Sequence, residues 1–264
     1  MTEQIRRVIA FNTAKESENK VHDDEVARAY GFAAGLVPGV DVLAYMTHMP
    51  VERWGRDFLA RGALEARFLK PVYDGDEVAI IADEQDGALA LRAESRGEVC
   101  ATGRATLPAA APLIDPHGYQ DTRPVAVRAP ANAGSYPAGA WLGIAPQVWR
   151  EDSAAAYLDE VREDDPVYTT AGLCHPGMLQ RMMNQVLIEN AVLGPWIHVG
   201  SRMQLLAEAH LGDVLTARAK VIDNYERKGH RFVELDALIV AGGDVPVAKC
   251  WHLAIWQLRA PAAA

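Results

Sequence analysis

The apolar positions of the chain follow a helical period first and a strand period afterwards. Between residues 40 and 59 they recur at helical spacing, which predicts a long buried helix with Pro50 as a break or kink. Residues 63–84 and 88–107 then alternate between apolar and polar side chains around turns that contain glycine, which predicts several antiparallel strands. A short β-branched run at 7–11 predicts one more strand ahead of the helix.

The same order of elements occurs a second time. Residues 35–40 (GLVPGV) are echoed by residues 172–178 (GLCHPGM), and each is followed by an apolar helical run. A Gly-Asp turn begins 36 residues after Gly39, at Gly75, and the matching turn begins 35 residues after Gly177. This repetition predicts two α+β units, each a long helix wrapped by an antiparallel sheet. We expect their sheets to pair edge to edge about a pseudo-twofold axis, because this covers exposed strand edges.

A segment rich in proline and alanine separates the two units. Residues 108–134 follow neither period, which predicts a linker laid over the surface. The predicted organisation is therefore an N-terminal unit at 1–107, this linker, a C-terminal unit at 135–259 and a tail at 260–264.

The repeat is asymmetric where the candidate chemistry lies. Tyr168 stands in the second unit where the first unit has His22. The interval from Asn19 to Gly39 is 20 residues, but the matching interval from 165 to 177 is only 12 residues, so the second unit lacks the short helix predicted in the first. We expect one working site, built by the first unit, and a degenerate second unit that contributes only lining residues to that site.

The polar segment 17–39 carries that candidate chemistry. His22 lies among carboxylates and amides, and Asp23 and Asp24 are suited to cap the short helix that follows. The next helix starts at Gly39, and a helix that begins at glycine offers bare backbone N–H groups to an oxyanion. A histidine near such amides is suited to acid–base chemistry on a carbonyl compound.

Composition narrows the class of function. The chain has 264 residues, half of them apolar, and a net charge of −9, which argues against binding to nucleic acid or to anionic membranes. The three cysteines are scattered and no Cys/His group has metal-ligand spacing, so we predict reduced thiols and no metal. No apolar run reaches the ~20 residues of a membrane span, and no signal peptide is evident. We therefore expect a soluble, cytoplasmic protein.

Three stretches of the chain resemble one protein family. They are residues 18–40 (ENKVHDDEVARAYGFAAGLVPGV), residues 67–78 (RFLKPVYDGDEV) and, in the second unit, residues 202–221 (RMQLLAEAHLGDVLTARAKV). They resemble the MaoC-like acyl dehydratases, which include the (R)-specific enoyl-CoA hydratases. The resemblance implies a double hotdog fold and an acyl-thioester substrate. It implies no cofactor beyond coenzyme A as part of that substrate, and it allows a homodimer of double hotdogs.

The family carries an Asp-x-Asn-Pro-x-His loop, and residues 17–22 match it in part. His22 matches the histidine and Asn19 the asparagine, whereas Ser17 stands in the place of the aspartate. Gly39 matches the glycine whose N–H binds the thioester carbonyl. Hydration of a double bond needs groups that deliver both H and OH, so a second group is required beside His22. The nearby carboxylates that remain open for this role are those of Glu18, Asp23 and Asp41.

Further residues are predicted to contact the substrate. Val37 and Pro38 precede the helix glycine, and Thr47 lies two turns along the same helix. Arg227, Lys228 and Arg231 form the dense basic cluster of the second unit, at a predicted hairpin turn. These cations are suited to the phosphates of coenzyme A, although such a cluster is more often a solvated turn.

Three functions fit this sequence. The first is a lyase that hydrates an α,β-unsaturated acyl thioester or dehydrates the 3-hydroxy form, with His22 as acid–base residue and the Gly39 N–H on the carbonyl oxygen. The second is a hotdog acyl-CoA thioesterase in which Asp41 activates water. The third is an acyl-thioester binding protein without catalysis.

Overall fold

The computed structural model describes residues 3–260 of the chain. All the strands of that part belong to one antiparallel sheet, in the order β1-β3-β4-β5-β2-β8-β11-β10-β9-β6, with β7 also paired to β9. Their bounds are β1 (Gln4–Ile9), β2 (Ala63–Phe68), β3 (Glu77–Gln85), β4 (Ala88–Ser95), β5 (Glu98–Thr106), β6 (Trp141–Gly143), β7 (Gln147–Val148), β8 (Ile197–Leu205), β9 (Val214–Arg227), β10 (His230–Ala241) and β11 (Val245–Gln257).

The helices of the described part fall into two sets of three, one set in each unit. The long central ones are α2 and α6, one in each unit. The bounds are α1 (Asp24–Ala29), α2 (Gly39–Trp54), α3 (Arg56–Arg61), α4 (Glu151–Glu160), α5 (Pro166–Thr170) and α6 (Pro176–Ile188). Between α5 and α6 the second unit has no helix in the place of α1, in agreement with its shorter interval.

Helix α2 is buried along nearly its whole length because the sheet covers one side and α6 packs on another. The two helices come so close that a Cβ on Gly177 would lie 2.7 Å from the Cβ of Ala44. Of the break or kink predicted at Pro50, the break is wrong. The proline lies inside α2, and the helix ends at Gly55, whose positive φ of 57° turns the chain into α3.

The two half-sheets join at one antiparallel pair of strands, which we call the seam. Strand β2 pairs with β8 from Ala63↔Gln204 to Arg67↔Gly200. The ladder stops at Arg67 and Gly200. The residues just past this point, which come after Arg67 on β2 and before Gly200 on β8, line a cavity. The seam confirms the expected edge-to-edge pairing, and the fold is the expected double hotdog.

The segment between the half-sheets has one short 3₁₀ turn, Pro116–Gly118. Its contacts run to both units. Tyr119 donates a hydrogen bond to Asp236 of β10, and Arg128 binds Glu18 and the carbonyl of Ile188. Of the predicted tail 260–264, only residue 260 lies within the described part.

Within residues 3–260, none of the helices combines the length and the apolarity needed to cross a lipid bilayer.

A buried ion pair joins the two central helices. The carboxylate of Asp41 in α2 is fully buried, and it accepts hydrogen bonds from Arg181 Nε of α6 at 2.8 Å and from the Thr13 hydroxyl at 2.5 Å. The guanidinium of Arg181 also bonds to Glu160 and lies over the ring of Tyr157. Removing one partner of such a pair leaves a buried charge unpaired, which is costly.

We expect Asp41→Asn to lower the free energy of unfolding by roughly 3 kcal/mol, because the Arg181 guanidinium loses its buried counter-charge. Urea denaturation of both chains measures the difference. As a matched control, Glu18→Gln removes an exposed ion pair with Arg128 and should cost less than about 1 kcal/mol. Equal losses for the two variants would contradict this account of Asp41.

Candidate active site

A cavity of about 210 Å³ lies between the start of α2 and the end of the seam. Most of its lining is apolar and comes from both units, including Phe68 of β2 and Ile255 of β11. Val37 and Pro38, predicted as substrate contacts, are among the lining residues. The polar side chains in the lining are those of Asn19, His22, Lys70, Asn184 and His198, and no carboxylate is among them.

His22 is held in one tautomer by its neighbours. Its Nδ1 lies 2.6 Å from the carbonyl oxygen of Leu36, which can only accept, so Nδ1 carries the proton. Its Nε2 then accepts from the side-chain amide of Asn19 at 3.1 Å. Burial lowers the pKa of His22 from 6.5, although the Leu36 carbonyl and the charge of Asp41 act to raise it. His22 is therefore neutral near pH 7, with a basic nitrogen at the cavity.

Asn19 ties this loop to the second unit. Its amide nitrogen donates to the carbonyl of Trp196 at 2.9 Å, and its oxygen accepts from the N–H of Trp196 at 3.1 Å. This pairing fixes which end of the amide faces His22, so the contact with Nε2 is a donated hydrogen bond. The orientation of His22 therefore depends on a backbone segment of the other unit.

Gly39 places a free amide at the cavity. Pro38 precedes it and offers no side-chain cap, and the N–H groups of Asp41 and Val42 bond to the Pro38 carbonyl instead. Among the hydrogen bonds of the described residues, none uses the Gly39 N–H. The N-terminal end of a helix also favours negative charge, so this amide is suited to bind an oxyanion.

The matching amide of the second unit is already used. His175 caps α6, and its Nδ1 accepts from the Gly177 N–H at 2.9 Å. A Cβ on Gly177 would collide with the hydroxyl of Tyr157, and the ring of Tyr168 is buried 4.7 Å from that of His175. Tyr168 thus fills the place that His22 has in the first unit.

Two predicted site residues, Asp41 and Thr47, do not line the cavity, and their polar atoms have hydrogen-bond partners elsewhere. The Asp41 carboxylate is fully buried and is paired with Arg181 and Thr13, so its expected role as a water-activating carboxylate remains a prediction that this placement disfavours. Thr47 is fully buried, and its hydroxyl donates to the carbonyl of Leu43 in its own helix at 2.9 Å.

The other polar candidates of the loop are also placed outside the lining. The Ser17 hydroxyl lies 3.5 Å from the carbonyl oxygen of Asn19, Glu18 is exposed beside Arg128, and Asp23 caps α1. None of the carboxylates that were candidates for the second catalytic group, those of Glu18, Asp23 and Asp41, therefore lines the cavity.

The predicted basic cluster sits at the hairpin of β9 and β10. Arg227 and Lys228 are exposed, and Arg231 lies over the ring of Trp256. None of the three lines the cavity, but Phe232, next to Arg231, pairs with Ile255 of the cavity wall. Their contact with the substrate remains a prediction.

Sequence reasoning missed His198. It lies on β8 of the second unit, its ring packs against Phe68, and its Nδ1 would lie 3.1 Å from a Cβ on Gly39. Burial lowers the pKa of His198 to about 3, so the ring is neutral. The available signal was an inward-facing histidine in an alternating strand, and such a residue is most often a satisfied part of the core.

A second depression follows the outer face of the seam, which we call the seam groove. It measures about 600 Å³ and shares Phe68, Leu69 and Val199 with the cavity. Its cations are Arg67, Arg104 and Arg202, and none of them makes an ion pair with another described residue. Glu65 is the one carboxylate in its lining.

One cluster offers side chains suited to a metal, but the guanidinium of Arg6 already binds to two of them. Ligand atoms of His48, Glu163 and Asp164 lie within 4.8 Å of one another. The guanidinium of Arg6 binds Nε2 of His48 at 3.0 Å and the carboxylate of Asp164 at 2.7 Å. These residues therefore form an ion-pair network around Arg6.

Solved structures with the same fold include dehydratases and thioesterases. A protein assigned as a MaoC domain dehydratase from Chloroflexus aurantiacus aligns with a TM-score of 0.65 over 97% of this chain and 95% of that one, at 11% identity. A Mycobacterium tuberculosis protein with a double hotdog fold aligns with a TM-score of 0.65 over 97% and 96%, at 14% identity. An acyl-CoA thioesterase II from Mycobacterium marinum aligns with a TM-score of 0.52 over 96% and 93%, at 14% identity.

These likenesses are structural. No protein-family model matches the chain, and no curated protein matches it by sequence. At identities this low the likeness shows the fold, a double hotdog, and the chemistry has to be argued from the cavity.

We expect the folded chain to lose stability as the pH falls below about 6.5. Burial lowers the pKa of His22, His175, His198 and His252 in the folded state. The unfolded chain, whose histidines have a pKa near 6.5, therefore binds more protons below that pH. The free energy of unfolding should fall by up to about 1.4 kcal/mol per pH unit for each such histidine.

Urea denaturation at about pH 7.5 and about pH 5.5 measures this loss. His117 is exposed, so His117→Ala should leave the difference between the two pH values unchanged. Equal free energies of unfolding at both pH values would contradict the expected protonation of the buried histidines.

Proposed function

We propose that the chain is an acyl-thioester lyase that reversibly adds water to an α,β-unsaturated acyl group. The observation that carries this proposal is the cavity that places the basic Nε2 of His22 and the free N–H of Gly39 together, within a mainly apolar wall. The apolar wall suits an acyl chain, and the two polar groups suit its reacting end. The likeness to structures assigned as MaoC dehydratases supports the same chemistry.

In this proposal His22 is the general base. Its Nε2 takes a proton from water while the water oxygen bonds to the β-carbon of the acyl group. The π electrons move toward the thioester, and negative charge develops on the carbonyl oxygen beside the Gly39 N–H. Because no carboxylate lines the cavity, the same imidazole returns the proton to the α-carbon, which completes the addition of H and OH.

Asn19 orients His22 and has to release it during this step. In the resting state the Asn19 amide donates to Nε2, the atom that takes the proton from water. Once Nε2 is protonated, two donors would face each other, so that hydrogen bond breaks. The other amide hydrogen stays on the Trp196 carbonyl, so Asn19 keeps its place.

The rival functions differ in their products. A thioesterase would release free thiol from a saturated acyl thioester, and the likeness to an acyl-CoA thioesterase II is the observation in its favour. The carboxylate that this function would use, that of Asp41, is buried and paired with Arg181, which favours the lyase. A binding protein would be stabilised by an acyl thioester without converting it.

We expect His22→Ala to lower the turnover of a crotonyl thioester at least ~100-fold, because the general base is lost. Loss of enone absorbance without release of thiol measures hydration, and a saturated butyryl thioester tests for hydrolysis. His117→Ala changes an exposed histidine and should leave turnover unchanged. Turnover of the His22 variant equal to that of the native chain would refute the assignment of the base.

For the carrier, we propose that its phosphates bind in the seam groove. The groove adjoins the cavity at Phe68 and Val199, and its arginines lack ion-pair partners on a chain with a net charge of −9. Arginine matches the geometry of phosphate oxygens and is always charged. The hairpin cluster of Arg227, Lys228 and Arg231 is the alternative binding place.

We expect the double variant Arg67→Gln/Arg202→Gln to raise KM for a coenzyme A thioester about 30-fold, since each of the two exposed phosphate contacts contributes about 1 kcal/mol. An N-acetylcysteamine thioester carries no phosphate, so its KM should not change. The matched control is Arg227→Gln/Lys228→Gln. An increase in KM confined to that control would place the phosphates at the hairpin instead.

A further inference from the structure

The imidazole of His198 has one unpaired nitrogen at the start of α2. The side chain is only 5% exposed and lines the cavity, and its Nδ1 makes no hydrogen bond to any described residue. This atom lies beside Gly39, whose N–H is also free. An unpaired buried polar atom is costly, so a site that keeps one beside a bare helix N-terminus is suited to a ligand.

The other nitrogen of His198 ends a chain of buried hydrogen bonds. Nε2 lies 2.6 Å from the hydroxyl oxygen of Ser201, and the amide nitrogen of Gln180 lies 2.7 Å from the same oxygen. Both Gln180 and Ser201 are almost completely buried. Because the amide nitrogen of Gln180 can only donate, the Ser201 oxygen is its acceptor.

Counting protons along this chain selects one tautomer of His198. If Nε2 is unprotonated, Gln180 donates to Ser201 and the Ser201 hydroxyl donates to Nε2, so each hydrogen has an acceptor. If Nε2 is protonated, the Ser201 oxygen accepts from both Nε2 and Gln180. The buried hydroxyl hydrogen of Ser201 then has no acceptor. The competing acceptor for an Nε2 proton, the carbonyl of Gly200, lies farther away at 3.0 Å.

We propose that His198 is a second oxyanion donor: its Nδ1–H and the Gly39 N–H together bind the thioester carbonyl oxygen, and Gln180 and Ser201 hold the imidazole in that tautomer. His198 is then a catalytic residue, and Gln180 and Ser201 are positioning residues. The inference rests on the proposed function for the identity of the oxygen that is bound.

A neutral imidazole is suited to this role. Burial lowers the pKa of His198 to about 3, so the ring carries one proton throughout the physiological range. A donor fixed in a dry, apolar wall stabilises developing charge without having to reorganise. Two neighbouring rings hold the imidazole in place: it stacks on His252 with 4.3 Å between ring centres, and the tilted ring of Phe68 packs against it at 4.6 Å.

The tautomer can be measured directly by ¹⁵N NMR on the native chain. We expect the proton on Nδ1 of His198 in the native protein and on Nε2 in Ser201→Ala, where the hydroxyl donor is gone and the Gly200 carbonyl remains. This readout requires no turnover. A proton on Nε2 in the native protein would overturn the inference.

Turnover of a crotonyl thioester then tests the role of the proton. His198→Leu removes the donor and should lower kcat about 100-fold, the usual effect of losing one oxyanion contact. His198→Asn keeps an amide donor near the place of Nδ1 and should retain more activity than the leucine variant. Ser201→Ala should lower kcat at least ~10-fold with little change in KM, because the lone pair of Nδ1 would then face the oxyanion.

A double-mutant cycle separates this role from a merely structural one. In the His198→Asn background the tautomer no longer exists, so Ser201→Ala should have little further effect on kcat. The same loss in both backgrounds would show that Ser201 acts through stability alone and would overturn the inference. If Nδ1 is protonated but no thioester is hydrated, the proposed function fails and the assignment of the donor stands.

Discussion

The pairing of β2 with β8 is the interaction on which the rest of this structure depends. It removes an exposed edge from each half-sheet and brings the central helices α2 and α6 into contact. It also ends before both strands do, and the cavity opens where the ladder stops. The first unit supplies His22 and Gly39, while the second supplies His198 and the backbone that holds Asn19. Neither unit alone could build this site.

The two units treat the start of their central helices in opposite ways. Helix α6 is capped by His175, and Tyr157 and Tyr168 fill the space around it, so its first amides contribute to stability. Helix α2 begins after Pro38 without a side-chain cap, and its first amide stays unpaired. A duplicated fold thus has one helix start that is completed internally and one that is left open for a ligand.

Polar groups of helix α6 act in two places, at its contact with α2 and at the cavity wall. Arg181 neutralises the buried Asp41, which explains why the carboxylate nearest to Gly39 in sequence serves the fold. Gln180, its neighbour in α6, connects through Ser201 to His198. Adjacent residues of one helix therefore project to the helix contact and to the hydrogen-bond chain that ends at His198.

The sequence by itself determined the duplication, the helix and strand periods, the edge-to-edge pairing and the place of Gly39 at a helix start. These follow from local periodicity, from glycine and proline positions and from spacing, which all act over short distances along the chain. Only the tertiary structure decided which polar groups meet. Asp41 and Arg181 are 140 positions apart, and Asn19 and Trp196 are 177 apart, so no local pattern relates them. That His198 lines the cavity and Asp41 does not depends on burial and on competing hydrogen-bond partners, and these exist only once the seam has formed.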